Sequence, residues 1–246
     1  MNIFINSFFW RIKMQTDRFS SAQTRTQEID AGLRTHMLSV YNRMTMGVLI
    51  TAIVAWVVSS SPDLMMMLLG GPQRYLVIFG PLAIVWFGFN PMTMSSQKLK
   101  LAFIGVSVLY GISFSGIALM YAGADIARAF FIASGMFAGL SIFGYTTKKD
   151  LTGLGSFCVM ALIGLILTSI IGMFVGFSSG METMLSVGIV LVMAGLTAWE
   201  TQNTKRMYNP ANGDEINSRM AWSAALSLYI SFVIMFTHIL QLMSNR

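Results

Sequence analysis

Long apolar stretches alternate with short polar links along this chain, and the alternation predicts helices that cross a bilayer. A crossing helix needs ~20 mainly apolar residues to span ~30 Å of hydrocarbon. Seven segments meet that requirement: residues 44–60, 75–92, 99–121, 126–145, 154–177, 181–203 and 220–243. Pro81 falls inside the second and is expected to kink it. The links leave no room for a second folded domain. Residues 40–246 therefore read as one transmembrane domain behind a polar N-terminal segment, residues 1–39. Alternating apolar–polar units of about ten residues are absent, which argues against an outer-membrane barrel. The expected fold class is all-α: an integral membrane bundle of seven helices.

Composition agrees with this reading. Of 246 residues, 55% are hydrophobic and 11% charged, whereas soluble domains carry ~25% charged residues. The net charge of +6 could suggest nucleic acid, but the basic residues do not cluster with aromatics on a soluble face. Orientation accounts for the charge better. Arg11, Lys13, Arg18, Arg25, Arg34, Arg43, Lys98, Lys100, Lys148, Lys149, Lys205, Arg206 and Arg219 fall on one side of the predicted topology. Only Arg74, Arg128 and Arg246 fall on the other. Basic loops stay in the cytoplasm, so the N-terminus is expected inside and the C-terminus outside.

Cys158 is the single cysteine, so it forms no intramolecular disulfide and no cysteine-based metal site. It reads as a small buried hydrophobe. The 21 methionines are scattered over all the spans without fixed spacing and read as packing filler, not as a thioether metal site. The opening MNIFINSFFWRIKM is either an interfacial anchor or an upstream extension with Met14 as the true start. It has no early basic region or small-residue cleavage site, so a cleaved signal peptide is not expected.

One carboxylate stands out. Glu200 closes the apolar run METMLSVGIVLVMAGLTAWETQ, where an ionisable side chain costs ~2.5–3.5 kcal/mol or more. It is either a functional residue or a helix-end residue snorkelling to the interface beside Lys205. The last span carries a polar stripe. Ser223, Ser227, Ser231, His238 and Gln241 fall within an ~80° arc at ~100° per residue. Such a face is expected to meet protein or water, not lipid. The serines could instead bond back to their own helix. His238 lies about 10 Å beyond Ser231 along the helix. It is either a proton relay or a histidine hydrogen-bonded near the outer interface. Gly135-xxx-Gly139 and Gly172-xxx-Gly176 are candidate helix-packing faces, and Asp150 is a candidate cap for the fifth span. No phosphate-cradling loop, nucleophile–base pair or metal-ligand cluster is present.

Several phrases together resemble a known family. They are GLRTHMLSVYNRMTMGVLITAIVAW, AFFIASGMFAGLSIFGYTTKKDLTGLGSF, AGLTAWETQNTKRMY and AALSLYISF, in that order. The chain resembles the bacterial, YccA-like branch of the Bax inhibitor family from about Gly32 to Gln241. The resemblance implies a seven-helix bundle whose seventh helix is surrounded by the other six. It implies a pH-sensitive calcium-leak channel, or a regulator of membrane-protein stress linked to a membrane-bound AAA protease. The family phrase YDTQ ends the sixth helix and LYLDFIN lies in the seventh, and their two acids share protons and gate the pore. The first acid falls on Glu200, in WETQ. The second falls on Ser231, in LYISFVI, and the family's following asparagine falls on Ile234.

The loss of one acid has physical consequences. Two close carboxylates resist double ionisation, which is how such a pair senses pH. With Ser231 opposite, Glu200 is expected to respond to burial, hydrogen bonds and nearby cations such as Lys205 and Arg206. A dehydrated Ca²⁺ takes roughly six to eight hard oxygens, so Glu200 is at most a weak Ca²⁺ ligand, and Ca²⁺ enters as a permeant ion rather than a cofactor. Weakened or altered pH gating is the expectation, with a non-conducting, protease-binding regulator as the alternative. An intramembrane aspartic protease would need two facing acids, so an enzyme is not expected. The implied setting is the bacterial inner membrane. The sequence leaves the oligomeric state open.

Overall fold

A computed structural model describes residues 2–244, with side-chain surroundings from Asp30 onward. Among the described residues every regular element is helical. The order is α1 (Asn2–Ser59), α2 (Pro62–Leu69), α3 (Arg74–Phe87), α4 (Ser96–Met120), α5 (Gly123–Thr146), α6 (Thr152–Val175), α7 (Ser179–Met207) and α8 (Gly213–Ser244), with a 3₁₀ turn (Pro210–Asn212) before α8. α3 to α6, and the middles of α7 and α8, are apolar on most sides, the pattern of membrane spans. Six are long and apolar enough to cross a bilayer. The expected spans 44–60, 99–121, 126–145, 154–177, 181–203 and 220–243 lie within α1, or within a few residues of α4 to α8. α1 runs unbroken through the expected boundary at residue 40. The side chains of MNIFINSFFWRIKM, and with them the anchor and the Met14 start, lie outside those described.

The second span differs from expectation. The chain is helical at Pro62–Leu69 and again at Arg74–Phe87, with a 68° bend between, instead of running as one helix over residues 75–92. The bend falls at Gly70, Gly71 and Pro72. Two residues without a Cβ and one without an N–H cannot sustain a helix. α3 continues through Pro81, where a kink was expected. At ~1.5 Å per residue α3 is only about 21 Å long, short of the ~30 Å hydrocarbon.

The pair still lies along the neighbouring span. α3 runs antiparallel to α4: Ser113 Oγ donates to the Val77 carbonyl at 3.4 Å, and Leu109 lies over Gly80. The chain then reaches Pro91, whose carbonyl accepts Arg219 Nε at 2.7 Å. α2 and α3 together thus carry the chain from the Ser59 end of α1 to the Ser96 end of α4. Taken as one broken span, the pair brings the candidate crossings from six to seven.

α8 is the enclosed helix. Its most apolar stretch is 67% buried, against 6% for α6. It packs chiefly on α1, α4, α5 and α7, while α3 lies outside α4 and α6 outside α7. The last helix is therefore central, but four helices rather than six make its main enclosure. Close approach depends on particular glycines. A Cβ on Gly144 of α5 would overlap the Ala198 carbonyl of α7, and one on Gly111 of α4 would meet Thr51 and Val54 of α1. The expected glycine pairs do not act this way. Gly135, Gly139 and Gly176 face open space, and Gly172 meets Phe177 from the turn just beyond its own helix.

A polar lattice ties one end of the bundle together. Arg43 of α1 donates to the Ser218 carbonyl at 2.7 Å and to its hydroxyl at 3.1 Å, with its guanidinium 4.4 Å from the Trp222 ring centroid. Glu215 of α8 accepts the Ser96 amide and hydroxyl, both at 2.8 Å, and so caps α4. The Gln202 amide of α7 clasps the α5–α6 link, donating to the Lys149 carbonyl at 2.8 Å and accepting the Leu151 amide at 2.9 Å. Asp150 caps α6 by accepting the Thr152 amide at 3.0 Å, and pairs with Arg206 at 2.9 Å. The Thr152 hydroxyl and amide, then Arg206, hold the Asp150 carboxyl down at about 2.

Gly144→Ala places a methyl group against the Ala198 backbone and is expected to cost about 1–3 kcal/mol. Unfolding of the purified protein in detergent measures it. Gly135→Ala, facing open space, is expected to change little.

Candidate functional site

Glu200 lies on α7 about two turns before its end at Met207, and it faces the central helix. Ser227 and Ser231 of α8, one turn apart, both point back at it. Ser227 Oγ donates to one carboxylate oxygen at 2.5 Å and Ser231 Oγ to the other at 2.7 Å. The structure thus brings together the two expected pore residues, Glu200 and Ser231, and adds Ser227. These serines do not bond back to their own helix. Lys205 and Arg206, expected beside Glu200, are engaged elsewhere. Lys205 donates to the Tyr145 carbonyl at 3.3 Å and lies over that ring, and Arg206 binds Asp150 and Thr152. The snorkelling arrangement is therefore not the one adopted.

The surroundings of Glu200 are polar on its own helix as well. Thr204 donates to the Glu200 carbonyl at 2.8 Å, and Thr201 lies 3.4 Å from the Ser141 hydroxyl of α5. The opposite face of α8 carries a second polar group that the sequence reading missed. Tyr229 is fully buried, with its hydroxyl 2.6 Å from Thr51 Oγ1 of α1. Thr51 in turn reaches the Ser107 carbonyl of α4 at 3.0 Å. A phenol inside ALSLYISF has to find a hydrogen-bond partner once buried. That was the available signal, although it does not say which residue answers.

His238 and Gln241 stand apart from Glu200. Gln241 accepts from Ser186 of α7 at 3.0 Å. His238 Nδ1 lies 2.9 Å from the Ile234 carbonyl, so that nitrogen carries the proton. Both line a cavity of about 230 Å³ with Ser169, Glu182 and Ser186, at the end of the bundle away from the lattice. Between this cavity and Ser231, the polar face of α8 is interrupted by Ile234. That side chain lies about 20° from Ser223 around the helix, within the polar arc. It lines an apolar cavity with Ile189 and His238. His238 thus has no polar neighbour of its own stripe on the Glu200 side within one turn.

As a cation site, the Glu200 cluster offers two carboxylate and two hydroxyl oxygens, fewer than the roughly six to eight that hold Ca²⁺ firmly. Among the described residues no three His, Cys, Asp or Glu side chains come together as a metal site. The arrangement can hold a proton or a passing cation at one carboxylate, facing the helix that the rest of the bundle encloses.

A multi-pass membrane bundle with a carboxylate of the penultimate span bonded to a central last span is the class of protein that fold and site define. The family described as "Inhibitor of apoptosis-promoting Bax1" matches residues 33–246, and the chain belongs to this Bax inhibitor family. It is 37% identical over 226 residues to the uncharacterized protein RP147 of Rickettsia prowazekii (strain Madrid E), covering 91% of this chain and 94% of that one. It is 37% identical over 230 residues to an uncharacterized protein of Caulobacter vibrioides, covering 89% and 92%. It is 35% identical over 235 residues to the inner membrane protein YbhL of Escherichia coli K12, covering 94% and 99%.

Ser231→Ala leaves one Glu200 oxygen without its donor inside the bundle. The expected loss is about 1–3 kcal/mol, the range for hydrogen bonds to a charged group after allowance for membrane surroundings. Detergent unfolding measures it. Ser223→Ala, on the same stripe but not bonded to Glu200, serves as the comparison and is expected to be near neutral.

Proposed function

We propose that the protein is a cation-leak channel of the bacterial inner membrane, with Ca²⁺ as a permeant ion and Glu200 at the gate. The observation that carries this reading is the Glu200 carboxylate inside the bundle, bonded to Ser227 and Ser231 of the central helix. A cation passing along α8 meets one acid and hydroxyl oxygens. That set is weak enough to release an ion, as conduction requires. Because Ser231 stands where a second acid would face Glu200, the charge repulsion that makes an acid pair pH-sensitive is absent. The pH response is therefore shallow. His238 is a proton relay in this reading only if protons cross the Ile234 step. The basic end of the bundle is cytoplasmic, which puts the N-terminus inside and the C-terminus outside. The inner-membrane setting is supported by the relative named an inner membrane protein. The protein acts without being an enzyme.

A second reading is favoured by Ile234. This side chain closes the polar face of α8 between the 230 Å³ cavity and Ser231, as a non-conducting protein would. In that reading the chain is a regulator of membrane-protein quality control that binds a membrane-bound AAA protease.

Liposomes loaded with a calcium dye separate the two. Calcium entry into vesicles holding the wild-type protein, reduced several-fold by Glu200→Gln, supports the channel. Flux that changes little between about pH 8 and 6 is expected, since no acid pair is present to titrate there. A several-fold rise toward pH 6 would contradict the shallow response. No flux above empty vesicles, with co-purification of a membrane protease, would replace the channel by the regulator.

A further inference from the structure

α1 and α5 both pack on α8 but make no extensive contact with each other. The seam between them holds two cavities, of about 690 and 640 Å³, which share Val48, Phe130 and Phe232. They form one cleft. On α1 its lining recurs every three or four residues from Arg34 through Tyr41, Val48 and Ala55 to Ser59, a single helical face. At ~1.5 Å per residue that face is about 38 Å long, close to the ~40–45 Å of a bilayer with its headgroups. The stretch from Arg34 to Val48 is about 21 Å, the depth of one leaflet. The floor is aromatic, with Phe130 from α5 and Phe232 from α8.

Arg34 is exposed at the end of the cleft. Among the described residues it takes part in neither salt bridge, since those join Arg128 to Asp125 and Arg206 to Asp150. An apolar cleft one leaflet deep, ending in an exposed guanidinium that is unpaired among the described residues, has the chemistry of a phospholipid site. The cleft takes an acyl chain, and the planar guanidinium takes a phosphate through paired hydrogen bonds. Net negative charge on the headgroup adds attraction near the membrane surface.

We propose that this α1–α5 cleft binds one anionic phospholipid, with its phosphate on Arg34 and an acyl chain laid along α1 over Phe137 and Phe232. The chain would rest on the residue next to Ser231. Occupancy of the cleft therefore bears on α8, whose Ser227 and Ser231 bond Glu200.

The test uses the full-length protein in a non-ionic detergent, with phosphatidylglycerol or phosphatidylcholine of identical acyl chains added. Native mass spectrometry and thermal unfolding are the readouts. One retained phosphatidylglycerol per chain is expected, with a rise in Tm several degrees larger than phosphatidylcholine produces. Arg34→Gln should remove that preference and leave the lipid-free Tm unchanged. Ala138→Trp, an exposed position lining the cleft, should block retention of both lipids. Equal effects of the two lipids, or a preference that survives Arg34→Gln, would overturn the proposal. So would unchanged lipid retention in Ala138→Trp. A dimer that excludes lipid and is broken by Ala138→Trp would assign the cleft to a second copy of the chain instead.

Discussion

The polar groups along the middle of α8 find their partners on the helices around it, because four helices close around that stretch. An unsatisfied polar group in such surroundings costs several kcal/mol. This constraint organises the bundle. Ser227 and Ser231 fix α7 through Glu200. Tyr229, on the opposite face, fixes α1 through Thr51 and reaches α4 beyond it. Gln241 fixes the far end of α7 through Ser186. A central helix without these groups could rotate or slide among apolar neighbours. With them, its register against three other helices is set.

The same constraint explains where the site lies. A carboxylate in the bundle interior is tolerable only where donors meet it, and α8 supplies two hydroxyls at successive turns. The end lattice then holds α7 in place. Gln202 and Arg206, two and six residues beyond Glu200 along the helix, are both bound to the α5–α6 link. Glu200 thus sits between a fixed helix end and the central post, while the opposite end of the polar stripe is separated from it by Ile234.

Much of the fold could be read in the sequence because membrane spans announce themselves by composition. α4 to α8 each hold a long apolar stretch, and the predicted limits fall within a few residues of the observed ends except at the start of α8, which begins seven residues earlier. The second crossing misled the reading. The polar step at Gln73 and Arg74 hid the methionine-rich α2 upstream, which the Gly-Gly-Pro break joins to α3 at an angle. The contact between Glu200 and Ser231 was legible from the local phrases, and Ser227 from the stripe. The directions of Lys205 and Arg206 were less legible, although at ~100° per residue they lie about 140° and 120° around the helix from Glu200. The Tyr229–Thr51 contact joins residues 178 apart in the chain, and no local pattern encodes such a pairing.

The central claim is that Ser231, by replacing an acid opposite Glu200, sets how the cation path answers pH. Calcium flux into dye-loaded liposomes, compared between the wild type and Ser231→Asp from about pH 8 to 6, tests it most directly. Two carboxylates at this distance share a proton across that range, so the variant should show a steep pH dependence that the wild type lacks. Identical pH profiles for the two proteins would contradict the account.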